Sequence, residues 1–69
     1  MKQTEIILKY LLEHGSITGI ECITKLGVLN YKGRIHDLRK LGYKIKTRME
    51  THVNREGDEK TFARYILME

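Results

Sequence analysis

Side chains able to make or break covalent bonds, or to hold a metal, are few and scattered in this chain. His14, His36, His52 and the single cysteine, Cys22, show none of the close pairing from which zinc sites are built. Ser16 has no partner histidine and acid in a pattern that suggests a triad. The glycines are isolated, so neither a phosphate-cradling loop nor a dinucleotide fingerprint is present. These features point away from an enzyme and lead us to expect no catalytic residue, metal, cofactor or small-molecule substrate. The chemistry the residues do support is ionic. Between Tyr31 and Met49 stand Lys32, Arg34, Arg39, Lys40, Lys44, Lys46 and Arg48 against Asp37 alone, and seven bases less one acid leave +6. The whole chain carries only +4, so the flanking segments are slightly acidic together. A positive field localised in this way attracts a polyanion.

The elements that must carry this charge are bounded by size. With 69 residues the chain is expected to form one domain, 1–69, near the lower limit for independent folding. A second copy or a bound partner would add useful stability. The apolar share of 41% and charged share of 32% describe an ordinary globular chain. No apolar run approaches the ~18 residues that cross a bilayer, so no membrane partner is expected. Met1-Lys2-Gln3-Thr4-Glu5 does not read as a signal peptide. One cysteine allows no internal disulfide, which suggests a reducing, cytoplasmic setting.

Along the chain, Ile7, Leu8, Leu11 and Leu12 recur at helical spacing, predicting a helix over Thr4–His14 with Thr4 as cap and Gly15 as stop. Ser16-Ile17 suffices for one bridge of strand. Thr18 and Glu21 make a capping box for a short helix to about Lys25 or Leu26, burying Ile20, Ile23 and Leu26 with Cys22 packed beside them. Gly27-Val28-Leu29 is a tight connection, and Asn30 caps a third helix, Tyr31–Leu41, stopped by Gly42. Two short helices joined through a glycine bend make a helix-turn-helix.

After Gly42 the period changes to two. Tyr43, Ile45, Thr47 and Met49 alternate with charged residues as a half-buried strand. A polar turn over Asn54–Lys60 leads to a second strand, Thr61–Met68, with Ala63, Tyr65 and Leu67 on one face. The two strands form a hairpin, the wing.

Stepping about 100° per residue along the third helix gathers Tyr31, Ile35, Leu38 and Leu41 into one inward arc. Lys32, Gly33, His36 and Lys40 lie opposite, Arg39 and Asp37 border them, and Arg34 can pair with Asp37. The major groove of double-stranded DNA admits one such helix. Lys32 and His36 are candidates for base-edge contact, with Asn30 near the groove entrance and Gly33 allowing close approach. Arg39, Lys40, Lys44 and Lys46 are expected to hold phosphates. Arg55 and Lys60 lie on the wing, where Glu56, Asp58 and Glu59 oppose deep insertion.

The stretch Arg34-Ile35-His36-Asp37-Leu38-Arg39-Lys40-Leu41-Gly42-Tyr43-Lys44-Ile45 resembles the recognition helix and first wing strand of small phage and prophage winged helix-turn-helix proteins. The Ile-Leu-x-Tyr-Leu helix, the Ser16-Ile17-Thr18 entry and Ala63-Arg64-Tyr65 extend the likeness over nearly the whole chain. It implies an α+β winged helix-turn-helix fold, three helices with a small antiparallel sheet, and DNA binding in a transcription-regulating or excisionase-like role. The alternative is a winged-helix protein-interaction module, such as a phage inhibitor of a host protein. A homodimer through Phe62, Ile66 and Met68 suits either.

Overall fold

Ile7 and Leu11, one helical turn apart, are both shielded from solvent and anchor the core. The computed structural model describes residues 2–68; Met1 and Glu69, the ends of the expected 1–69 domain, lie outside the described residues. The order is α1 (Gln3–His14), β1 (Ser16–Thr18), α2 (Gly19–Thr24), α3 (Tyr31–Lys40), β2 (Lys44–Val53) and β3 (Glu59–Met68). The strands form one antiparallel sheet, β1-β3-β2. This is the α+β winged helix-turn-helix arrangement that the sequence implies.

α1 begins earlier than its periodicity suggests, with its cap two residues before Thr4. The Lys2 carbonyl accepts from the Glu5 and Ile6 N–H groups, so Lys2, without a side-chain bond, occupies the cap position expected for Thr4. Gly15 ends the helix at φ 84°, donating to the Leu11 carbonyl at 2.7 Å while its own carbonyl accepts from Leu67. That last bond ties the helix end to β3.

α2 starts with the capping box read from the sequence: Thr18 Oγ1 accepts from the Glu21 N–H, and Glu21 Oε1 accepts from the Thr18 N–H, both at 3.1 Å. Its inward face differs from expectation. Gly19 and Cys22 are buried, whereas Ile20 and Ile23 are 47% and 42% exposed. The bond from the Val28 N–H to the Cys22 carbonyl folds the chain back over this side, and Val28 enters the core.

In α3, Ile35 and Leu38 are buried and Tyr31 is half-buried, with its ring 6.1 Å from that of Tyr65. Leu41 departs from the predicted core arc and is 72% exposed. The helix stops at Lys40 in a reversal where Gly42 donates to the Arg39 carbonyl and Tyr43 to the Leu38 carbonyl. Gly42 adopts φ 105° there, and Leu41, about 120° round the helix from Ile35, falls at the margin of the buried arc.

Ile17, Ile45 and Tyr65 bring the inner sheet face onto Ile7, Leu11, Cys22, Val28, Ile35 and Leu38. No polar or charged residue is buried among the described residues. Beyond Ile45 no residue of β2 is buried, and Thr47 and Met49, expected to be half-buried, are exposed. The reason is length: β2 runs to Val53 and β3 starts at Glu59, so the paired hairpin reaches past the helices. Asn54 closes its tip, its carbonyl accepting from Gly57 and its side-chain oxygen from Glu56 and Asp58. Gly57, at φ 86°, supplies the left-handed residue this kind of hairpin turn requires. The molecule is accordingly long, 40 × 23 × 20 Å.

Candidate nucleic-acid interface

Burial of Ile35 and Leu38 fixes which side of α3 meets solvent. Lys32, His36 and Lys40 follow one another at four-residue spacing, all exposed, with Gly33 beside them half-buried. Eight residues of helix separate Lys32 from Lys40, a rise of about 12 Å, comparable to the width of a major groove. Asp37, the only acid on this helix, is paired with Arg34 at 3.2 Å.

The seven bases of the central segment do not act alike. Arg34 serves Asp37, and Arg48 serves Glu50 at 2.8 Å. Arg39 forks onto the Ile45 carbonyl through Nε at 3.0 Å and Nη2 at 2.8 Å, and Nη2 also donates to Thr47 Oγ1. Its planar donors thus clamp the last turn of α3 to the first residues of β2, a role that sequence reasoning missed. Thr47, two residues past the buried Ile45 and so on the same side of the strand, was the available signal. Lys32, Lys40, Lys44 and Lys46 have no ion pair among the described residues.

Those four lysines occupy two surfaces. Strand alternation sets Lys44 and Lys46 opposite Ile45, and the register pairs them with Met68 and Ile66. They therefore stand on the sheet face turned away from the helices, whereas Lys32 and Lys40 stand on α3. Arg55 and Lys60 are exposed at and beside the hairpin tip, with Glu56, Asp58 and Glu59 around them. Asn30 occupies the cap position of α3 but makes no capping bond with its side chain.

The outer sheet face also carries Phe62, Ile66 and Met68. Phe62 lies against the His52 ring at 5.4 Å, and the Arg64–Glu50 pair, at 2.8 Å, crosses the strip between Phe62 and Ile66. Arg64 further donates to Ser16 and lies 3.9 Å from Glu21. Its guanidinium holds the Glu50 carboxyl below the usual carboxylate range, helped by Arg48 and slightly opposed by desolvation. On the other side of the network Glu21 collects Thr18, Tyr10 and Lys25. Burial alone raises its pKa, but these hydrogen bonds prevail and hold it at about 2. This hub joins α1, α2 and all three strands, and it supports the interface rather than forming it.

Nothing in the geometry assembles a metal centre: no group of three or more His, Cys, Asp or Glu gathers among the described residues. Burial, with a smaller contribution from the Glu21 charge, pushes the Cys22 thiol up to about 11, which leaves it a packing residue. Among the described residues no helix is long and apolar enough to cross a membrane.

A search of curated proteins finds no match to the chain. A family model described as a winged helix-turn-helix domain matches residues 2–69, that is, the whole arrangement of helix pair, α3 and hairpin described above. The chain belongs to this winged helix-turn-helix family, a fold typical of non-enzymatic DNA-binding regulators.

Proposed function

We propose that this domain is a sequence-specific binder of double-stranded DNA, a transcription regulator or excisionase-like factor of the phage or prophage type, acting in the cytoplasm. One observation carries the reading: α3 exposes Lys32, His36 and Lys40, with the half-buried Gly33 beside them, on the side opposite its buried Ile35 and Leu38, and its one acid is already paired. In this reading α3 lies in the major groove, where Lys32 and His36 meet base edges beside Asn30. Lys40 holds a phosphate, and Arg39 keeps β2 in place and adds its charge. Arg55 and Lys60 bring the hairpin tip to the backbone. Lys44 and Lys46 contribute to the field from the other sheet face.

Selection of bound duplexes from a random pool tests the proposal. The expected result is a consensus, bound more weakly as salt rises, with Lys32→Ala relaxing one position of it. Failure to retain any duplex at low salt would overturn it. The competing reading, a protein-interaction module, draws on the exposed Ile20 and Ile23 and on Leu29, 77% exposed, beside the start of α3. It calls for a protein partner whose binding survives nuclease treatment and is lost on Leu29→Asp.

A further inference from the structure

Asn30 holds the position from which a side-chain oxygen ordinarily accepts a hydrogen bond from the second or third residue of a helix. The third residue here is Gly33. The Asn30 side chain makes no such bond, and its backbone, at φ −91° and ψ 52°, is outside the extended region usual for a cap. Instead the carboxamide lies where a side chain on Gly33 would begin. A β-carbon at Gly33 would stand 2.9 Å from Asn30 Nδ2, 3.1 Å from Oδ1 and 3.2 Å from Cγ.

Two facts follow about the amide. It is seated against the helix by the missing side chain of Gly33, and it has no hydrogen-bond partner among the described residues. Asn30 as a whole is exposed. A carboxamide resting on Gly33, with a free donor and a free acceptor at the first turn of a groove-entering helix, has one well-matched base edge. Adenine presents N7 as acceptor and N6–H as donor in the major groove, and an asparagine satisfies both at once.

We infer that Asn30, seated on Gly33, is the adenine-reading residue of this domain. The inference rests on the DNA-binding reading and adds a base and a residue pair to it. Lys32 and His36, long or rotatable and without a seat of this kind, refine the remaining positions. Gly33 is then neither a tolerated weak point of the helix nor a place for the DNA backbone to approach; it is the space that Asn30 fills.

The test uses the full chain with Asn30→Ala, Gly33→Ala and the double variant, each measured on the duplex selected by the parent protein and on a scrambled duplex. The parent should prefer an A·T pair at one position. Each single variant should lose roughly tenfold to a hundredfold in affinity for the selected duplex and treat the bases at that position alike. The double variant should lose no more than either single one, and the scrambled duplex should be bound equally by all. Replacing the adenine by 7-deazaadenine, which lacks the N7 acceptor, should weaken the parent but not Asn30→Ala. Thermal unfolding should be unchanged in Asn30→Ala, which has no capping bond to lose.

Retention of the A·T preference by Asn30→Ala would overturn the inference. So would equal weakening of selected and scrambled duplexes by Gly33→Ala. If Gly33→Ala unfolds, Asn30→Ala and the deazaadenine duplex decide alone. Failure of the parent to bind any duplex would instead remove the DNA-binding reading, and this inference with it.

Discussion

Gly19 and Gly33 both lack a side chain because another residue needs the space, but what fills it differs. At Gly33 the neighbour is the tip of an exposed asparagine, which an added methyl would push into solvent without disturbing the core. At Gly19 a β-carbon would stand 2.7 Å from the Tyr31 ring and 2.8 Å from its hydroxyl. That ring lies 6.1 Å from the Tyr65 ring and packs against the core. Gly19→Ala should therefore destabilise the domain by about 1–3 kcal/mol, the usual cost of overpacking, even though alanine favours helix. Urea denaturation followed by circular dichroism checks this, and Gly33→Ala provides the contrast, with no loss expected. An effect of Gly19→Ala below that of Gly33→Ala would mean that Tyr31 swings away freely. Neither role was legible in the sequence. An isolated glycine near a helix start looks the same whether it is seat, hinge or accident, since the residue that fills its space is fixed only by the packed structure.

At the scale of the element, α2 shows both what a local pattern reveals and where it stops. Thr18 and Glu21 lie three residues apart, so their reciprocal bonds could be read directly from spacing. The buried face could not, because six residues are fewer than two turns and do not define a stripe. Tyr10, Lys25 and Arg64 reach Glu21 from α1, the residue after α2, and β3, and only the fold brings the α1 and β3 partners near. Their presence makes a pH-dependent contribution with a definite sign. Glu21 is held at about 2, below its ordinary 4.5, so its ionised form favours the folded state. The stabilisation is complete above about 4.5 and is lost as pH falls through 4.5 towards 2. Urea midpoints measured from pH 6 down to 2 should fall for the parent protein, with a shallower fall for Glu21→Gln. Glu50, also lowered, supplies part of the remaining slope. Parallel curves for parent and Glu21→Gln would show that the hub carries no linkage of this kind.

For the whole molecule, what matters is how topology distributes charge that is contiguous in sequence. The excess of bases between Tyr31 and Met49 is evident from composition, and alternation along β2 already sets Lys44 and Lys46 opposite Ile45. What neither discloses is that three of the seven bases are absorbed, Arg34 by Asp37, Arg39 by the Ile45 carbonyl and Thr47, and Arg48 by Glu50. The remaining lysines then point to two sides of a molecule 20–23 Å thick. A duplex lying along α3 meets Lys32 and Lys40 directly, and it meets Lys44 and Lys46 only if it also bends round the sheet. Each phosphate contact releases counterions and steepens the dependence of log K on log salt by about 0.9. Lys40→Ala should therefore flatten that slope by about 0.9, and Lys44→Ala and Lys46→Ala should leave it unchanged while lowering affinity slightly through the weaker field. Titrations of a selected duplex at several salt concentrations measure all three. A slope change for Lys44→Ala equal to that for Lys40→Ala would place the outer sheet face against DNA, and would require the duplex to curve round the end of α3, where the chain turns from Lys40 into β2 at Lys44.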